Sequence, residues 1–122
     1  MDKISFVKYE NELIHEFNDL LKKSEDFNDV SNIFSHISKK LFENILKNEY
    51  KLELEIKDFD FDIDFENEKY KISKKIFENE IVSKLYRESD IESILERFLK
   101  SCINRAKHLK TIERKTKFDR RK

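Results

Sequence analysis

Acidic residues at alternate positions are the first feature of this sequence that could do chemistry. Asp58, Asp60 and Asp62 have the spacing with which a calcium-binding loop begins. Such a loop also needs a glycine for its sharp turn, and the chain contains no glycine. Phe59 and Phe61 fill the positions between the aspartates, and this alternation is typical of a β-strand. The spacing therefore predicts a row of carboxylates on one face of a strand and no calcium site.

Histidine and cysteine, the other residues with catalytic potential, are few and scattered. His15, His36 and His108 fall on three different predicted helices, so no pair lies four residues apart as zinc ligands on one helix would. Cys102, the only cysteine, lies on the apolar stripe of the last predicted helix, which is typical of a buried thiol. Phosphate-binding loops, dinucleotide-binding loops and nucleophile elbows all require glycine. We therefore expect no catalytic residue, no metal and no cofactor.

One enzymatic alternative stays open. A metal-dependent nuclease would combine an acid with a Glu-x-Lys tripeptide on neighbouring strands. The tripeptide occurs as Glu49-Tyr50-Lys51, Glu55-Ile56-Lys57 and Glu113-Arg114-Lys115, about as often as chance predicts in a chain so rich in Glu and Lys. The second of these, beside Asp60, could still place an acid and a lysine on one sheet face. A small metal-dependent nuclease is therefore the third functional hypothesis.

The composition predicts one globular domain in the cytoplasm. The chain has 122 residues, 43% of them charged and 38% hydrophobic, including 11 Phe. This length is typical of a single domain, and the apolar content is enough for a core. No apolar run is long enough for an export signal or a membrane span, and one cysteine suits a reducing compartment. The absence of glycine and proline is typical of A/T-rich coding.

Helical spacing of apolar residues predicts two helices, over 6–21 and 29–47, packed antiparallel. Asn28 or Asp29 is a suitable N-cap for the second helix. Asn48 is expected to end it, since asparagine tolerates the left-handed conformation that glycine usually supplies there.

The period then changes from 3.6 to 2, which predicts strands. Apolar residues alternate with charged ones over 50–56 and again, with shifted parity, over 59–65. We expect a reversal at Lys57-Asp58 and a second one over 66–69, after which Tyr70 and Ile72 pair opposite Phe65 and Ile63. The result is a three-stranded antiparallel β-meander.

Two more helices complete the predicted fold. Ser73 can cap a third helix through about Arg87, and Ser89-Asp90-Ile91-Glu92 has the pattern of a capping box before a long fourth helix. The fold class is therefore α+β: two N-terminal antiparallel helices, the three-stranded meander and two C-terminal helices, the last one long with a basic end. We expect residues 1–112 to form a single α+β domain and residues 113–122 a basic C-terminal extension.

The net charge of zero conceals two opposed blocks, −7 over residues 53–68 and +7 over residues 105–122. A hairpin turning at Lys57-Asp58 would place Glu55 opposite Asp60 and Glu53 opposite Asp62, and like charges facing each other destabilise a sheet. This cost suggests a binding surface for a basic protein partner. Its predicted residues are Glu53, Glu55, Asp58, Asp60, Asp62 and Asp64.

The basic block favours an alternative, since lysine and arginine along an exposed helix can contact several phosphates of a nucleic acid. The residues predicted for this role are Arg105, Lys107, Lys110, Arg114, Lys115, Lys117, Arg120 and Arg121. Phe118 is the only aromatic residue in this segment, so readout of bases is not indicated. The basic block could also cover the acidic one, within one molecule or between copies, which would make self-association sensitive to salt.

The preferred hypothesis is a small, non-enzymatic interaction protein of the inhibitor, immunity, antitoxin or anti-defence kind that mobile elements carry. Its acidic sheet face would bind a basic partner such as a toxin, a nuclease or a nucleic-acid-binding protein. A nucleic-acid-binding accessory protein acting through the C-terminal helix is the alternative.

Overall fold

Helices and one β-hairpin make up the described part of the chain, in an α+β arrangement. The computed structural model describes residues 4–53 and 61–120, with side chains as far as residue 111. The elements, in chain order, are α1 (Val7–Lys23), α2 (Phe27–Tyr50), β1 (Phe61–Asp64), β2 (Lys69–Ile72), a 3-10 helix (Lys74–Glu78), α3 (Glu80–Glu88) and α4 (Ile91–Arg120). Within the described residues, no helix combines the length and the hydropathy needed to cross a membrane.

Both N-terminal helices are present, but α2 has different ends from those predicted. Its N-cap is Asp26 rather than Asn28 or Asp29, and the Asp26 carboxylate accepts a hydrogen bond from the Asp29 amide at 2.8 Å. At the other end Asn48 stays inside the helix. Lys51 takes the left-handed conformation (φ 52°) that the prediction assigned to Asn48, and its amide bonds to the Leu46 carbonyl.

The core lies where α1, α2, α4 and the hairpin meet. The apolar stripe of each helix is buried, and aromatic pairs connect the elements: Phe17 of α1 lies 4.8 Å from Phe98 of α4, and Phe42 of α2 lies 5.5 Å from Phe61 of β1, measured between ring centroids. Burying a phenylalanine side chain contributes about 1.5–3 kcal/mol, so these rings hold the layers together.

The sheet differs from the predicted meander in strand number and register. In the described residues it has two antiparallel strands, with Tyr70 opposite Ile63 and Ile72 opposite Phe61. Phe65 is unpaired because it belongs to the turn over residues 65–68, where the Asp64 carboxylate accepts hydrogen bonds from Asn67. This turn starts one residue earlier than predicted, which moves the register by two.

The first predicted strand is not found where it can be examined. Tyr50 is the last residue of α2, and residues 51–53 form no strand. The rest of that prediction, including the reversal at Lys57-Asp58, falls on residues 54–60, which lie outside the described residues.

The predicted third helix is divided by Asn79. Its side-chain oxygen accepts hydrogen bonds from the Ile81 and Val82 amides at 3.0 and 3.2 Å, so α3 starts there and only a short 3-10 helix precedes it. Asparagine competes for backbone amides in this way and favours helix starts over helix interiors. The predicted cap at Ser73 is found on the 3-10 helix, where its hydroxyl accepts from the Lys75 amide.

Helix α4 begins one residue later than the predicted capping box requires. Asp90 directly precedes it, and the Ser89 hydroxyl accepts from the Ile91 amide while donating to the Leu85 carbonyl. The Asp90 carboxylate instead fixes the N-terminal segment by accepting from the Phe6 amide at 2.8 Å. The α4 backbone then continues without interruption to Arg120, through the predicted domain boundary at residue 112.

The Ser38 hydroxyl is the one described side-chain polar group that is fully buried without a hydrogen-bond partner. We predict that Ser38→Ala raises the free energy of unfolding by about 1 kcal/mol or more, because an unsatisfied buried hydroxyl costs about that much and alanine favours helix. Urea unfolding followed by circular dichroism measures the change. Ser35→Ala, on the same helix but only half-buried, is the control and should gain only the propensity term of about 0.5 kcal/mol. Equal gains in both variants would contradict the prediction.

Candidate functional site

The acidic residues predicted to form a partner-binding face are only partly described. Glu53 is exposed just after α2, while Asp62 and Asp64 lie on the solvent-facing side of β1. The other three, Glu55, Asp58 and Asp60, fall outside the described residues.

The two described acids of this face that lie on β1 are opposite bases. Asp62 lies opposite Lys71 and Asp64 opposite Lys69, so two acids face two bases. Opposite charges across a ladder stabilise it. The predicted like-charge pairs concern the other edge of this strand, and one of them, Glu55 with Asp60, falls outside the described residues. The Asp64 carboxylate also accepts hydrogen bonds from the side chain and the backbone of Asn67, which hold its pKa below the ordinary range.

Arg105, predicted to bind nucleic acid, instead caps the C-terminal end of α1. Its guanidinium donates to the Ser24 hydroxyl at 3.1 Å and to the carbonyls of Lys22 and Ser24 at 3.1 and 2.9 Å. A cation at a helix C-terminus satisfies carbonyls that have no partner in the helix and complements the helix dipole. Sequence periodicity could not have shown this, because the contact joins residues more than eighty positions apart.

Lysines, in contrast, are exposed along one side of α4. Lys107 Nζ lies 2.7 Å from Glu68 Oε1 in the hairpin turn, and both side chains are at least half exposed. Lys100 and Lys110 are exposed and form no ion pair with the described residues. The remaining predicted bases, Arg114, Lys115, Lys117 and Arg120, lie further along the α4 backbone; their side chains, and Arg121, lie outside the described part of the chain.

A groove runs along this lysine-bearing side of α4. One part, of about 160 Å³, is lined by Phe27, Phe65, Ile103, Ala106, Lys107 and Lys110. An adjoining part, of about 340 Å³, shares Ile103 and Lys107 and extends towards the helix start past Lys100, Asn104 and the two acids Glu68 and Glu96. We call these two parts together the α4 groove.

The aromatic members of the α4 groove could not be found from sequence. Phe27 is the first residue of α2 and Phe65 lies in the hairpin turn, yet their ring centroids are 4.9 Å apart, with 37° between the ring planes. Phe27 is 39% exposed, which is high for a phenylalanine. The fold therefore adds an aromatic surface to the basic helix, where the sequence offered only Phe118.

None of the three histidines lies in a described catalytic arrangement: His36 contacts the carboxylate of Glu16, and the other two are exposed. Glu16 accepts a hydrogen bond from Lys40 Nζ at 2.6 Å, which holds the pKa of this carboxyl below its ordinary value, and contacts His36 Nε2 at 3.1 Å. His15 and His108 are exposed. Within the described residues, no three His, Cys, Asp or Glu side chains are close enough to hold a metal ion.

The Glu-x-Lys tripeptides offer no described catalytic group either. Glu49 of the first one accepts a hydrogen bond from the Tyr9 hydroxyl at 3.1 Å and pairs with Lys8 at 3.5 Å. The second, Glu55-Ile56-Lys57, lies outside the described residues, and so do the side chains of the third, Glu113-Arg114-Lys115.

Comparison with known protein families, with curated proteins and with solved structures found no match for this chain.

Removing Arg105 should destabilise the protein more than removing Lys107. We predict that Arg105→Met lowers the free energy of unfolding by about 1.5–3 kcal/mol, because charged hydrogen bonds to the end of α1 are lost. Lys107→Met should cost about 0–1 kcal/mol, since an exposed ion pair is worth little. Urea unfolding of both variants measures the difference. A larger loss for Lys107→Met would contradict the capping role of Arg105.

Cys102 should be unreactive in the folded protein. Its side chain is fully buried on α4, and burial raises the pKa of the thiol to about 12. The nucleophilic thiolate is therefore scarce at neutral pH. We predict that Ellman's reagent reacts slowly with the native protein and rapidly above the urea unfolding midpoint. Fast labelling of the native protein would contradict the buried position.

Proposed function

We propose that this protein is a non-catalytic nucleic-acid-binding accessory protein that contacts phosphates through α4. The observation that carries the proposal is the row of exposed lysines along the α4 groove, Lys100, Lys107 and Lys110. With a rise of ~1.5 Å per residue, the row spans about 15 Å of the helix. A row of this kind neutralises successive phosphates and releases their counterions, which is the main source of sequence-independent affinity.

The distribution of charge along α4 supports phosphate binding by the second half of the helix. Its acids Glu92 and Glu96 lie in the first two turns, where the one base, Arg97, is paired with Glu10 of α1. Beyond Lys110, four further bases follow along the backbone up to Arg120, against the two acids Glu113 and Asp119. The second half of the helix can therefore extend the phosphate-binding surface beyond the groove.

The existing ion pair at the groove does not prevent phosphate binding. Lys107 and Glu68 are 68% and 50% exposed, so their pair contributes about 0–1 kcal/mol. A phosphate offers Lys107 a comparable anionic partner at little cost.

The acidic face is the weaker candidate on the described contacts. Asp62 and Asp64 already face Lys71 and Lys69, so this part of the strand offers a basic partner no unbalanced charge. A partner-binding role would depend on the other acids of the predicted face, Glu53, Glu55, Asp58 and Asp60. It stays a prediction, as do the nuclease and the salt-sensitive self-association.

Reversing the lysines of the groove should weaken nucleic-acid binding. We predict that Lys100→Glu/Lys110→Glu lowers the affinity for a fluorescein-labelled oligonucleotide at least tenfold at low salt. The slope of log affinity against log salt should become shallower by about 1–2, because two phosphate contacts are lost. Fluorescence anisotropy over a range of KCl concentrations measures both quantities.

The control is Lys47→Glu/Lys84→Glu, which makes the same charge change at two exposed lysines that do not line the groove. Lys47 lies twenty residues from Phe27 on α2, about 30 Å along the helix. Equal loss in both double variants would indicate a net-charge effect without a site. A wild-type protein that fails to bind any oligonucleotide at low salt would refute the proposed function.

A further inference from the structure

We propose that the α4 groove binds single-stranded nucleic acid by stacking a base on Phe27, with neighbouring phosphates on Lys107 and Lys110. The inference rests on the proposed function and specifies its ligand class. It depends on a juxtaposition that the fold creates: a pair of phenylalanines, one of them exposed, and two lysines line the same cavity of about 160 Å³.

The aromatic pair offers a surface on which a base can stack. Phe27 lines the groove and is 39% exposed, while half-buried Phe65 has its ring centroid 4.9 Å from that of Phe27 and packs on the core. Phe65 thereby supports Phe27, whose exposed surface is open to a ligand. Bases stack on such rings without strong sequence preference, because every base has an aromatic face.

The lysines allow phosphate binding beside the stacked base. Lys107 and Lys110 line the cavity that Phe27 and Phe65 also line, so one nucleotide can contact a ring with its base and a cation with its phosphate. In a duplex the base faces are already stacked on each other, and unstacking costs a few kcal/mol. A duplex can therefore use the lysines but not the rings, which gives the groove its preference for single strands.

Glu68 opposes the ligand in the free protein. Its carboxylate pairs with Lys107 at 2.7 Å from the hairpin turn, where Glu68 has a positive φ of 55°. An incoming phosphate must displace this carboxylate from Lys107 and then lie near it. Removing the Glu68 charge should therefore strengthen binding. The same change at Glu66 should matter much less, because Glu66 is exposed in the same turn but pairs with no lysine among the described residues.

Phe77 provides a matched control for Phe27. It has the same 39% exposure, but it lies on the 3-10 helix against Tyr86 and does not line the α4 groove. A general effect of removing an exposed phenylalanine would appear equally in Phe27→Leu and Phe77→Leu. An effect of base stacking would appear only in Phe27→Leu.

The test compares a short oligothymidylate strand with a duplex of equal length by fluorescence anisotropy. We predict that Phe27→Leu lowers the affinity for the single strand about 5- to 150-fold and leaves the affinity for the duplex unchanged within about twofold. Phe77→Leu should leave both unchanged. Glu68→Gln should raise the affinity for the single strand about threefold or more, with a smaller rise for Glu66→Gln.

A direct signal of stacking is also accessible, because the chain contains no tryptophan. Phe27→Trp introduces a single tryptophan at the groove, and saturating oligothymidylate should quench its fluorescence, while that of Phe77→Trp should be unaffected. The quenching requires contact between the base and the ring, so it tests stacking independently of the affinities measured by fluorescence anisotropy.

Three results would overturn the inference. Equal binding of single strand and duplex, with no effect of Phe27→Leu, would show phosphate contact alone; the proposed function would stand and the stacking would not. Displacement of the oligonucleotide by poly-glutamate with the same dependence on Phe27 would show a site for acidic peptides. Absence of all binding to the wild-type protein would remove the proposed function together with the inference.

Discussion

The burial of one stripe of α4 fixes how this helix is oriented on the rest of the molecule, and the lysine-bearing groove depends on that orientation. Ile91, Leu95, Phe98 and Cys102 are all fully buried against the other helices, so the lysines on the opposite side of the helix must face solvent. Arg97 also orients α4 against α1, since its guanidinium donates two hydrogen bonds of 2.8 and 2.7 Å to the mostly buried Glu10 carboxylate of α1. Such bidentate pairs set orientation as well as distance. Rotating α4 to turn its lysines elsewhere would break this pair and expose the stripe.

Charge that is separated along the sequence is partly recombined by the fold. The acidic block meets lysines of β2 across the hairpin, and Arg105 of the basic block is used at the end of α1. Lys107 reaches the acidic block through Glu68. A count of charge by sequence block therefore overstates the free charge in both blocks. The residues available to a ligand are those without an ion pair to another described residue, such as Lys100 and Lys110.

Sequence reasoning found what depends on local periodicity. The four helices and the hairpin strands around Ile63 and Tyr70 follow from apolar spacing of 3.6 and 2, and Cys102 was placed in the core for the same reason. The predicted element ends and strand register were wrong where the hydrogen bonds of a single side chain set the backbone geometry, as at Asn79 and at the turn after Asp64. Of the proposed site, only the basic helix is visible in sequence. Phe27 and Phe65 are not, because their proximity depends on how α2 and the hairpin pack.

Phe27 and Phe77 show why exposure alone does not define a site. Both rings are 39% exposed, so the solvent contact of each costs a similar free energy. The Phe77 ring lies edge-on to Tyr86. The hydroxyl of Tyr86 is hydrogen-bonded to that of Tyr70 at 2.7 Å, so this neighbour of Phe77 already has a polar partner within the protein. Phe27 instead lines a cavity that two lysines, Lys107 and Lys110, also line. An aromatic face and cations in one concave surface offer a ligand both stacking and charge, and a nucleotide is the common biological ligand that uses the two together.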